Sequence, residues 1–201
     1  VTESTFALPV YQWEDQQITF EKMNQWWKTN QAEGIASVLI VYALGKAQRV
    51  LKNIDTSIGP VYSHGAVENM NSLFRNEGMD LPESTFVTDQ IPKEQYRKSL
   101  IIAPPSAIGS PWLKRFLPYS LGIASGWMSL RGTRRRRSAD RGFVLSDHAD
   151  WDGLNKAIAL TGAENIYTTH GYITVLTRWL NENGLNAMEV PQQFSRDEED
   201  G

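Results

Sequence analysis

Apolar residues recur along the chain at two alternating periods, and that alternation predicts a layered α/β fold. The run Ala36-Ser37-Val38-Leu39-Ile40-Val41-Tyr42 is almost unbroken, as expected for a strand buried on both faces. Before it, Phe20, Met23, Trp26 and Trp27 stand at helical spacing behind Thr19, the expected N-cap. After it, Leu44, Ala47, Val50, Leu51 and Ile54 mark one face of a helix over 43–54. Strands are predicted at 60–63, 85–88, 99–103 and 121–125, with a helix over 68–77. Pro104-Pro105 stops one of these strands and Gly126-Trp127 another.

Between 128 and 140 the chain turns to Gly, Ser and Arg, which suggests a crossing from one sheet system to another. Phe143 to Leu145 then predicts a short strand, and Trp151, Leu154, Ala157 and Ile158 a helix capped by Asp150 or Asp152. A strand at 165–169 follows. Tyr172, Val175, Leu176, Trp179 and Leu180 form a further helix face that stops near Asn183-Gly184, before a last strand at 187–190. Such alternation favours an open, largely parallel sheet flanked by helices.

Composition narrows the chemistry. The chain has 201 residues, enough for one substantial core or two small ones. It holds no cysteine, so any transition metal must be held by His and carboxylate ligands. The longest apolar run, 36–44, is too short to span a bilayer, and no signal peptide is visible, so the expectation is a soluble, cytoplasmic protein. A net charge of -3 argues against generic nucleic-acid affinity. The charge is uneven, however: Lys114, Arg115, Arg131, Arg134, Arg135, Arg136, Arg137 and Arg141 fall in one stretch, and the tail Arg196-Asp197-Glu198-Glu199-Asp200 is largely acidic.

Two of the three histidines end predicted strands. His148 sits in Ser146-Asp147-His148-Ala149-Asp150 and His170 in Thr169-His170-Gly171, and the two strands are expected to be neighbours. An imidazole oriented by a carboxylate can ligate a metal or move a proton near neutral pH, while Asp147 and Asp150 can equally be helix caps. His64 also follows a strand and reads either as a loop residue bonded to backbone or as a substrate contact. The four consecutive arginines read as a solvated loop or a phosphate track. Trp112, Trp127 and Trp151 read as core anchors in preference to base-stacking surfaces.

These residues resemble a family. Glu3-Ser4-Thr5-Phe6, Ser146-Asp147-His148-Ala149-Asp150 and Thr169-His170-Gly171 are similar to the three signature segments of the β-CASP nucleases, a branch of the metallo-β-lactamase superfamily. Gly45-Lys46-Ala47-Gln48-Arg49, Ala103-Pro104-Pro105-Ser106-Ala107, Ala124-Ser125-Gly126-Trp127-Met128 and the arginine run look most like the bacterial DNA ligase-associated exonucleases within it.

The resemblance implies a metallo-β-lactamase αββα sandwich over 1–19 and 129–201, with a β-CASP α/β domain inserted at 20–128. It implies a phosphodiesterase using two zinc or manganese ions, with DNA as substrate or, alternatively, RNA. A DNA ligase and a helicase are the implied partners. His170 matches a metal ligand, His148 the donor of a proton to the leaving oxygen, and Glu3 the carboxylate that holds that imidazole charged. Ser146, Asp147 and Asp150 are supporting residues. Ser125, His64, Arg131 and Arg134, Arg135, Arg136 and Arg137 are candidate substrate contacts.

One departure stands out. The family's His-x-His-x-Asp-His segment does not occur in this sequence. The expectation is therefore a carboxyl-terminal part of a longer enzyme, inactive alone. A non-catalytic nucleic-acid-binding module is the alternative.

Overall fold

The computed structural model describes residues 1–130, 132 and 139–190. The chain divides into two units, one continuous at Glu14–Asp147 and one assembled from Val1–Trp13 and His148–Gly201. Both are α/β, with parallel sheets flanked by helices, as the alternation of patterns predicts.

In the continuous unit, α1 (Gln16–Glu33) precedes β2 (Ala36–Ile40), whose residues are all buried. The N-cap of α1 is Asp15, whose carboxylate accepts from Gln17 N–H at 2.8 Å, and not Thr19. Thr19 is buried one turn further on and donates to the Val144 carbonyl. The predicted face does face the core: Phe20, Met23, Trp26 and Trp27 are all buried. Next come α2 (Lys46–Asn53), β3 (Val61–Ser63), α3 (Gly65–Asn76) and β4 (Thr85–Phe86). A single turn α4 (Lys93–Tyr96), β5 (Leu100–Ala103), β6 (Tyr119–Ala124) and β7 (Arg141–Phe143) complete it.

Helix α2 begins later than its apolar pattern suggests. Gly45 takes a φ of 78° and turns the chain before Lys46, so Leu44 points away from the core with 63% of its surface exposed. Gln48 pins this turn: its side chain accepts from Gly45 N–H and donates to the Ala43 carbonyl and to Asn71.

The strands pair in the order β4-β3-β5-β2-β6-β7, parallel throughout. Alternate residues of β2 feed two cores: Leu39 packs with Trp26, Trp27 and Leu51, while Val38 and Ile40 pack with Tyr96, Leu113 and Phe116. A strand that feeds both faces is apolar at nearly every position, Ser37 being the exception, which is why the run 36–42 lacks a period of two. Because the strands are parallel, their carboxyl ends share one edge, where ligands bind in open α/β sheets. That edge carries the turn at Tyr42 to Lys46, His64, Thr88, Ser125 and Ser146-Asp147. Strand β7, which follows the expected join at residue 128, belongs to this sheet.

In the second unit, β1 (Thr2–Ser4), β8 (Asn165–Gly171) and β9 (Asn186–Glu189) form a parallel sheet in the order β1-β8-β9. Helices α5 (Trp151–Thr161) and α6 (Ile173–Glu182) supply its core, in which Trp151, Leu154, Ile158, Leu176 and Leu180 meet Ala7, Ile166 and Ala187. Val175 and Ala157, expected on the buried helix faces, are exposed. Asp150 is the cap of α5, its carboxylate accepting from Gly153 N–H at 2.8 Å.

The strands that precede His148 and His170 are not neighbours. β7 pairs with β6, whereas both edges of β8 are taken, by β1 on one side and β9 on the other. The segment 144–147 leaves β7 and continues directly into His148, where the chain enters the other unit.

Candidate active site

The second unit brings Glu3 and His148 together from its two separate chain segments. β1 runs beside β8 with Glu3 opposite Thr169, which fixes the carboxylate at the end of the three-stranded sheet. His148 lies just before the N-cap of α5, and its Nδ1 stands 3.2 Å from Glu3 Oε1. The other carboxylate oxygen, Oε2, accepts from Thr5 N–H at 2.7 Å. The pair is held from the sides. Phe6 meets the imidazole edge-on at 5.9 Å, Trp13 Nε1–H donates to the His148 carbonyl, and Trp13 N–H donates to Asp150.

Burial alone would raise the Glu3 carboxyl. The polar groups of Thr5 and the neighbouring His148 outweigh it and hold Glu3 below the usual carboxylate range. Glu3 is therefore an anion at neutral pH. Glu3 stands at Nδ1 of His148 and orients the ring.

His170 follows Thr169 at the end of β8 and is exposed, with a φ of 53°, in the left-handed region. Its backbone is held there by Ser4, whose hydroxyl donates to the His170 carbonyl and whose own carbonyl accepts from Tyr172 N–H. Gly171 makes this possible: a Cβ there would fall 2.5 Å from the Ser4 carbonyl oxygen and from Thr5 Cα.

The carboxylates beside His148 in the sequence are engaged elsewhere. Asp150 caps α5 and binds Trp13 N–H. Asp147, in the continuous unit, lies 3.2 Å from Lys46 Nζ and 3.3 Å from Arg49 Nη1. Ser146 is buried, and its carbonyl accepts from Arg49 at 2.8 Å. Ser125 caps the short turn Gly126–Ser129 through a bond from Trp127 N–H. His64 caps α3, accepting from Ala66 N–H through Nδ1 at 3.1 Å. Arg131, Arg134, Arg135, Arg136 and Arg137 lie outside the described residues.

Lys46 was not among the expected site residues, although its side chain is only 4% exposed, with the ammonium 4.7 Å from the Tyr42 ring centre. A Gly-Lys pair after a fully buried strand was the signal available for it. Among the described residues, no group of three or more His, Asp or Glu side chains gathers as a metal cluster, and no helix is long and apolar enough to cross a membrane.

No family model matches the chain. The chain is similar to a probable DNA ligase of Opitutus terrae. The two are 25% identical over 190 residues, which is 94% of this chain and 18% of that protein. The chain thus spans less than a fifth of the length of the relative it matches.

Proposed function

We propose that this chain is part of a DNA-processing enzyme of the β-CASP type, a nuclease that hydrolyses phosphodiester bonds at DNA ends. In this reading the unit that joins the chain ends belongs to a metallo-β-lactamase domain and the continuous unit is the inserted β-CASP domain. The observation that carries it is the Glu3–His148 pair, a carboxylate 3.2 Å from an imidazole, the pairing that orients a ring for proton transfer. The likeness to a probable DNA ligase supports DNA as the substrate. A DNA ligase and a helicase are the partners, and the setting is cytoplasmic.

The water oxygen bonds to phosphorus as the bond to the leaving oxygen breaks, and a proton of that water passes to solvent. His148 delivers a proton to that oxygen, and the Glu3 carboxylate orients the ring and balances its charge. Catalytic zinc takes three protein donors per ion as a rule. Among the described residues no such set gathers, so those residues do not by themselves fit a metal pair. His170 is the residue we assign as a donor to zinc or manganese.

The test uses the intact natural polypeptide that carries this chain, supplied with zinc or manganese, and end-labelled DNA and RNA. Nucleotide release from DNA is expected, lowered between about a hundredfold and ten-thousandfold by His148→Ala. Full activity in that variant would remove His148 from the role. Cleavage of RNA alone would move the substrate to RNA, and cleavage of neither would favour a non-catalytic nucleic-acid-binding module.

A further inference from the structure

We infer that a cleft at the carboxyl edge of β3 and β4, within the continuous unit, binds an unpaired base of a single DNA strand. The cleft has a volume of about 450 Å³, and its walls include Phe86, Trp112 and His64. Phe86 sits on a two-residue edge strand with half of its surface exposed. Its ring lies directly on the first turn of α3, because Gly65 presents no side chain: a Cβ there would stand 3.0 Å from the ring. Trp112 is braced from behind by the buried Phe116, edge to face at 4.6 Å, and meets the His64 ring at 4.8 Å. An aromatic ring left half exposed beside a second, braced ring offers a π-face to a planar ligand.

The polar groups around these rings match a base and its backbone. His64 Nδ1 accepts from Ala66 N–H, which leaves the ring proton on Nε2, and burial keeps the imidazole neutral near pH 7. Thr88 adds a hydroxyl that can donate or accept. The Arg115 guanidinium lies 5.9 Å from the Trp112 ring centre and 3.3 Å from Asp89, whose side chain is 94% exposed. An arginine on so exposed a partner can exchange it for a phosphate. A single, partly compensated cation suits the one charge of a diester better than the two of a terminal phosphate. Paired bases are excluded because both of their faces are already stacked. The choice of DNA as the source of the base rests on the DNA-processing reading, whereas the cleft's chemistry does not.

The experiment follows binding of a short fluorescein-labelled oligothymidylate to the intact chain by anisotropy. Alongside it, the Trp112 indole N–H resonance is assigned with a Trp112→Phe variant. The oligonucleotide is expected to shift that resonance, and Phe86→Ala to weaken binding about tenfold with an unchanged circular dichroism spectrum. A duplex should compete poorly. Unchanged single-strand affinity in Phe86→Ala overturns the inference. So does a resonance that moves with thymidine monophosphate but not with the oligonucleotide, which would assign the cleft to free nucleotides. The His148→Ala cleavage assay is separate: His148-dependent cleavage without Phe86-dependent binding removes only the pocket. The reverse result removes only the nuclease reading.

Discussion

Glu3 and His148 stand out as residues because their pairing joins two separate segments of the chain. The sequence offers Asp147 and Asp150 as partners for His148, yet one pairs with Lys46 and Arg49 and the other caps α5. The carboxylate that reaches the imidazole comes from the other end of the chain. Its depressed titration sets a pH dependence. A carboxyl whose folded pKa lies below its unfolded value contributes stability that is present at neutral pH and lost as the pH falls through the folded value. Thermal unfolding of the wild type should therefore lose ground on acidification below about pH 4, and Glu3→Gln should show a flatter profile there. With 34% of the Glu3 side chain exposed, solvent screening keeps the effect under about 1 kcal/mol. Parallel profiles for the two proteins would show that the pair adds nothing to stability.

The strand and helix pattern was legible wherever one period ran long enough. Strand β2 and the buried face of α1 follow from their apolar residues, because the requirement to bury them is local. The boundaries depended on turns. Gly45 delays α2, and α4 is a single turn too short to carry a period. Strand β7 begins two residues earlier than its apolar run, where Asp140 binds the Leu121 N–H. The join of β1 to β8 was invisible, since three-residue strands carry almost no pattern. It depends on Gly171, whose φ of 90° and close contact with Ser4 exclude a side chain. Gly171→Ala should destabilise the unit by about 2–4 kcal/mol. Denaturant unfolding would measure the loss, and hydrogen exchange should locate it in β1 and β8. An unchanged midpoint would mean that the join tolerates a shift.

Over the whole molecule, a net charge of -3 makes attraction to DNA depend on where the arginines lie. Replacing Arg134, Arg135, Arg136 and Arg137 with Gln should weaken single-strand binding. The slope of log affinity against log salt should fall by about 3, if each arginine meets one phosphate. A slope unchanged across a salt titration would leave the run as a solvated loop.

The sequence alone determined the α/β class and the parallel character of the main sheet, because apolar periodicity and strand–helix alternation are properties of neighbouring residues. It also singled out His148 and His170 as candidates by residue type and context, and Glu3 through the resemblance. Only the tertiary structure decided that β7 and β8 lie in different sheets and that Phe86, Trp112 and His64 share a cleft. Those relations join residues far apart in the chain. They are set by strand order and by glycine-permitted close contacts, neither of which leaves a local periodic signal.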